Sequence, residues 1–256
     1  MIETTPSYPP VITVRGLRKA FGPKVAVADV SFEVDAGEIF GLLGPNGAGK
    51  TTTVECISGM LEADAGAISV LGRHPSKDGK FLRSRVGYQM QTSALPATLR
   101  VEEALRVFAS FYPQPAKVPE LMDTVGLTHR RKAAFGALSG GERQRLSIAL
   151  ALIGNPKVAI LDELTTGLDP QGRRDVWGLV ERIRESGITV LLVSHFLDEV
   201  ERLCGRLAII ADGRTIFVGT PEQMIASASK DQPEIDNLED AYLTLVDATR
   251  TSPAPH

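Results

Sequence analysis

Gly44-Pro45-Asn46-Gly47-Ala48-Gly49-Lys50-Thr51 has the spacing of a loop that cradles phosphate groups: glycines, then a lysine and a hydroxyl residue. Glycines let backbone N–H groups converge on phosphate oxygens, a helix start adds its positive end, and Lys50 neutralises charge. The Thr51 hydroxyl suits a ligand of Mg²⁺. These residues imply a nucleoside triphosphate site, provided that a strand precedes the loop and a helix follows it. Ile39-Phe40-Gly41-Leu42-Leu43, a continuous apolar run, predicts the strand, and a helix is expected from near Gly49 to about Met60.

Val158-Ala159-Ile160-Leu161-Asp162-Glu163 predicts a second buried strand, ending in two carboxylates at the edge where α/β sheets place their ligands. Neighbours on a strand point opposite ways, so the two can take separate tasks. Asp162 suits the surroundings of Mg²⁺, and Glu163 suits polarising an attacking water as general base. His195 closes the apolar run Ile188 to Ser194 and emerges at the same kind of edge. It can hydrogen-bond a γ-phosphate or the water, or it is a satisfied structural histidine. Leu138-Ser139-Gly140-Gly141-Glu142-Arg143-Gln144-Arg145 opens a helical run with a serine and two glycines, which makes a second anion site. One phosphate loop has no need of another within the same site, so the economical reading is that this one serves a nucleotide held by a second copy.

From about Val11 to Thr220 the sequence resembles the ATP-binding-cassette (ABC) family of P-loop NTPases. Leu138 to Gln144 is similar to the family's signature motif, with Glu142 where glutamine is more usual. The resemblance implies that the signature of one subunit closes on ATP at the P-loop of another, in a head-to-tail dimer, with Ser139, Gly140, Gly141 and Glu142 acting in trans. ATP contacts are then implied for Gly44, Pro45, Asn46, Gly47, Ala48, Gly49, Lys50, Thr51 and Thr52. Phe21 matches the aromatic that stacks on adenine, with a core phenylalanine as its other reading. Gln91 matches the glutamine that reaches Mg²⁺ and the attacking water, and Gln89 is its rival in the same loop. The implied Mg²⁺ ligands are thus Thr51, Gln91 and Asp162, and the implied catalytic residues Glu163, His195 and Gln91. Asp169, in Gly167-Leu168-Asp169, resembles the loop that communicates across the dimer. Leu164 and Met90 stand where prolines are common; neither change removes a ligand or a base.

The elements that must position these groups read as α/β. Short strands and turns fill Val11 to Val34, and further strands are expected at Gly66 to Gly72, Val86 to Tyr88 and Leu207 to Ala211. Helical periodicity runs from about Val101 to Ile153 with no convincing strand, and helices are expected at about Gly172 to Ser186 and Phe196 to Leu203. Strands alternating with helices imply a mostly parallel sheet covered on both faces. The resemblance makes this a RecA-like core with an N-terminal antiparallel β subdomain and an inserted α-helical subdomain. The expected division is an ATP-binding core of residues 1–91 and 155–226, a helical signature subdomain of 92–154, and a tail of 227–256 with an amphipathic helix at Leu238 to Ala248.

The 256 residues are 43% hydrophobic and 23% charged, an ordinary globular composition. With 28 Lys+Arg against 31 Asp+Glu, no broad positive field for nucleic acid is present. Arg130-Arg131-Lys132 reads as a solvated face. No apolar stretch approaches the roughly 20 residues of a membrane-spanning helix, and Met1 to Pro10 lacks the features of an export signal, so a cytoplasmic location is expected. Cys56 and Cys204 read as buried thiols.

The expected function is ATP binding and hydrolysis that energises solute movement through a separate integral membrane permease, from the inner face of the cell membrane, with a homodimer of cassettes. The layout through Asn237 to Leu243 is similar to exporters, with import left open. Leu95, Pro96 and Leu99 are either apolar contacts for the permease or packing beneath a loop. A different class is an ABC ATPase acting on nucleic acid or ribosomes. Such relatives carry paired cassettes, a long coiled coil or zinc-binding cysteines, and none is visible here. A regulatory protein that binds ATP without hydrolysis is opposed by Glu163 and His195.

Overall fold

The structure, a computed structural model, describes residues 9–89, 95–230 and 233–251. In chain order the strands and α-helices are β1 (Ile12–Phe21), β2 (Lys24–Val34), β3 (Ile39–Leu43), α1 (Lys50–Ser58), β4 (Ala65–Val70), α2 (Gly79–Arg83), β5 (Val86–Gln89), α3 (Val101–Ala109), α4 (Val118–Thr124), α5 (Gly140–Leu152), β6 (Val158–Asp162), α6 (Pro170–Glu185), β7 (Thr189–Ser194), α7 (Leu197–Leu203), β8 (Arg206–Ala211), β9 (Arg214–Gly219), α8 (Pro221–Ala228) and α9 (Leu238–Thr251). They fall into two compact units, Met1–Gly79 with His195–His256, and Lys80–Ser194.

In the first unit the strands run in the order β4-β1-β2-β9-β8-β3. The N-terminal strands are antiparallel, as expected: β1 pairs with β2 across a turn that leaves Phe21 opposite Lys24, and its other edge pairs with β4. β3 and β8 are parallel, from Phe40 opposite Arg206 to Leu43 opposite Ile209. All five residues of β3 are buried, and Phe40 stacks on Phe32 of β2 with ring centroids 5.4 Å apart. The two cysteines are buried, and burial pushes the Cys56 thiol up to about 11.

Two elements of this unit go beyond the sequence expectation, and both had local signals. β9 follows β8 through Asp212-Gly213, with φ of 47° and 71° as a two-residue type I′ hairpin turn requires. α8 opens on a reciprocal cap in which the Thr220 hydroxyl accepts from the Gln223 N–H and the Gln223 side chain accepts from the Thr220 N–H, with Pro221 in the first turn.

In the second unit β7, β6 and β5 are parallel neighbours in that order, and every residue of β6 and β7 is buried. Buried on both faces, such strands read as unbroken apolar runs. The expected helical stretch holds α3, α4, two short 3₁₀ turns at Thr128–Arg130 and Phe135–Ala137, and α5. α5 packs on β5 closely enough that a Cβ on Gly87 would lie 2.1 Å from the Ala151 carbonyl oxygen. Gly87→Ala therefore forces strand and helix apart, and we expect a loss of at least about 2 kcal/mol in urea unfolding. A change below about 0.5 kcal/mol, the range of ordinary surface substitutions, would refute this tight approach.

Candidate functional site

The loop from Gly44 to Gly49 joins the buried end of β3 to α1, the context its phosphate-binding pattern requires. Its glycines answer to two different demands. A Cβ on Gly44 would meet the Ile210 carbonyl oxygen of β8 at 2.1 Å. Gly49 has φ 104°, and a Cβ there would lie 2.6 Å from the Ala26 carbonyl oxygen of β2. Both neighbours are backbone, which cannot swing away.

Lys50 is the first residue of α1 and is only 7% exposed. Its Nζ donates to the carbonyls of Gly44 (2.6 Å) and Pro45 (3.0 Å), so its charge lies over the start of the loop. No side chain caps α1 and no acidic residue stands in its first turn, which leaves that end suited to an anion from outside the chain. Asn46 and Gly47 are exposed, Pro45 and Gly49 half-buried and Ala48 buried; Thr51 is exposed and Thr52 half-buried. Phe21, at the end of β1, is 49% exposed, which rules out the core reading of this ring. Lys19 Nζ lies 5.8 Å from its centroid. His195 follows directly on β7, half-buried, its ring 4.0 Å from that of Phe196.

In the second unit β6 ends on Asp162, which is 2% exposed. Glu163 comes next with φ 48°, and its N–H donates to the Val193 carbonyl at 2.9 Å. This corrects one detail of the sequence reasoning. The strand stops before Glu163, so a left-handed turn, not strand alternation, separates the two carboxylates. A non-glycine residue in that conformation costs about 1–3 kcal/mol, and such strain gathers at functional sites.

Ser139 caps α5, its hydroxyl accepting from the Glu142 N–H (3.2 Å) while Glu142 Oε2 accepts from the Ser139 N–H (2.8 Å). The glutamate at the unusual position thus completes a capping box. The Ser139 N–H holds its carboxyl below the usual carboxylate range, with Arg130 adding to the effect against a smaller opposing cost of burial. Asp169 caps α6, its Oδ1 accepting from the Gly172 N–H at 2.7 Å. The two helix starts face a common space: Ser139, Gly140, Gly141, Gly167, Leu168 and Asp169 all line a pocket of about 300 Å³, with Arg145 beside them. A Cβ on Gly140 would meet the Leu168 side chain at 3.6 Å, so the two loops are near contact. Small residues and helix-start N–H groups line one mouth of this pocket, and Asp169 and Asp175 stand on the same lining.

Gln91 lies outside the described residues. Gln89, its rival, is a rung of β5 opposite Leu161 and 3% exposed, a core position. Leu95 and Leu99 are half-buried and Pro96 is exposed. On α3 and just beyond it, Val107 and Phe111 are exposed, Phe111 by 72%. That apolar surface was not singled out from sequence, although the Phe108-x-x-Phe111 spacing was there to read. Among the described residues no helix is long and apolar enough to cross a membrane.

The family described as ABC transporter matches residues 27–166. The chain is 42% identical over 221 residues to "Nod factor export ATP-binding protein I" of Ralstonia nicotianae, an alignment covering 84% of this chain and 69% of that protein. Among solved structures it is similar to an "ATP binding subunit of ABC transporter", with a TM-score of 0.80 and 29% identity over 92% of this chain and 99% of the other. It is also similar to cbiO1 from Clostridium perfringens, described as part of the ABC transporter complex cbiONQ, with a TM-score of 0.76 and 25% identity over 92% and 99% of the two chains.

Proposed function

This chain is an ATP-binding, ATP-hydrolysing member of the ABC transporter family, and from that premise we propose that it is the motor subunit of an exporter, driving a separate membrane permease. The observation that carries this reading is the presence of two helix starts opened by small residues in one chain, the Gly44–Lys50 loop and Ser139–Gly141, each suited to an anion. Two such chains arranged head to tail would place the Ser139–Gly141 start of each on the triphosphate of the other. The export assignment rests on the similarity to Nod factor export proteins.

In this proposal Gly44 through Thr52 wrap the phosphates, and Lys50 trades its Gly44 and Pro45 carbonyl partners for phosphate oxygens. Thr51 and Asp162, with Gln91, are the residues to hold Mg²⁺. An exposed hydroxyl and a single buried carboxylate suit a cation that takes its remaining ligands from phosphate and water. When bound, that ion neutralises charge on the β- and γ-phosphates. Glu163 takes a proton from the attacking water, His195 steadies the γ-phosphate, and Asp169 links the sites across the dimer. Residues 92–154 form the subdomain that meets the permease, on the cytoplasmic side of the membrane, with Leu95, Pro96, Leu99, Val107 and Phe111 as its apolar surface. Nothing favours the nucleic-acid alternative.

Phe21 provides the adenine platform. Phe21→Ala should weaken ATP binding about two- to tenfold in a nucleotide titration. The melting temperature should not move, because the ring is exposed. Unchanged affinity would remove Phe21 from the site.

The assembly is tested by tagging the chain, solubilising membranes of its own cell in mild detergent and identifying what co-purifies. An integral membrane protein in near-equal amount, whose presence raises ATP turnover, is the expected result. Recovery with ribosomes or DNA and no membrane protein would overturn the transporter reading.

A further inference from the structure

The run Arg130-Arg131-Lys132, expected as a solvated face, holds two engaged arginines. Arg131 Nη2 donates to Glu102 Oε1 at 2.7 Å, which ties it to the first turn of α3. Arg130 is occupied differently. Its Nη2 donates to the Ala137 carbonyl at 2.8 Å, and its Nε lies 3.1 Å from Glu142 Oε1. His129 Nε2 stands 3.7 Å from the same oxygen. Glu142 is therefore divided, with Oε1 toward Arg130 and Oε2 on the Ser139 N–H. One guanidinium thus grips the backbone two residues before Ser139 and, through a carboxylate, the amide of Ser139 itself.

This arrangement accounts for a glutamate where glutamine is more usual. A carboxylate carries charge on both oxygens, so one accepts the Ser139 N–H while the other faces the Arg130 guanidinium as an ion pair; a glutamine keeps one acceptor, loses the charge and turns N–H groups toward either Arg130 or the Ser139 amide.

We infer that Arg130 is a positioning residue for the signature: by clamping Ala137 and Glu142 it fixes the Ser139 cap, and so sets how tightly the signature closes on the nucleotide of a second chain. The inference rests on the head-to-tail reading above. Charge-assisted contacts of partly exposed groups of this kind contribute modestly, so the expected effect is about three- to tenfold.

The test uses the full chain carrying Glu163→Gln, in which slow turnover lets an ATP-bound dimer accumulate, with dimer affinity measured by sedimentation in saturating ATP. Adding Arg130→Met should weaken the dimer by that factor while monomer ATP affinity stays unchanged and the melting temperature falls only slightly. Arg130→Lys should recover part of the loss. Glu142→Gln should weaken it similarly, and the Arg130→Met/Glu142→Gln pair should lose clearly less than the sum of the two single losses. Ser139→Ala is the control. If it weakens the dimer but Arg130→Met does not, or if the two losses simply add, the positioning role fails and the trans site stands. A chain that never dimerises with ATP, or a silent Ser139→Ala, overturns both.

Discussion

Glu163→Gln should leave ATP binding intact and lower turnover by about 10²- to 10⁴-fold, the contribution of a well-placed general base. The substitution keeps shape and removes only the proton acceptor, so the effect belongs to chemistry. The backbone argues for the same role. Glu163 sits in the left-handed region at φ 48°, held there by its N–H on the Val193 carbonyl, directly after a strand whose last residue is buried. A glycine would relieve that strain, and strain of this kind gathers at functional sites. Steady-state turnover set beside a nucleotide titration decides the matter. Turnover within threefold of the parent would remove Glu163 from the chemistry, and a parallel loss of affinity would make it a binding residue.

Lys50→Met should weaken ATP binding by about 10- to 100-fold, from the 1.5–3 kcal/mol attached to a hydrogen bond with a charged partner. Methionine matches the buried stem, so packing survives. What goes is the ammonium that donates to the Gly44 and Pro45 carbonyls, which lose that donor. A fall in stability of similar size, about 1–3 kcal/mol, should therefore accompany the loss of affinity. Calorimetric titration and thermal melting read the two separately. Affinity within threefold of the parent would mean that the loop binds phosphate through its backbone alone.

Much of this site was legible because its signals are local. The strands read as apolar runs because burial on both faces leaves no room for alternation, and β3, β6 and β7 are buried throughout. Ser139, Gly140 and Gly141 read as a helix start because a serine cap acts within a few residues; that Glu142 closes a capping box with it came from the structure. The same logic applied to Asp212-Gly213 and to Thr220 with Gln223 would have found β9 and α8. Other features depended on partners far along the chain. The exposure of Phe21 was one such outcome, since its aromatic ring serves equally well in a core.

Residue types and short spacing therefore determined the chemistry of this protein: a phosphate loop, a carboxylate pair, a signature cap and the strands beneath them. Tertiary structure decided where chain segments meet. It put Ile210 and Ala26 against the loop glycines, turned Glu163 out of its strand, and gave Arg131 a partner 29 residues away. The physical reason is one of range. Hydrogen-bonded turns and apolar periodicity are satisfied within a few residues, whereas steric exclusion and ion pairing depend on which distant backbone the fold brings alongside.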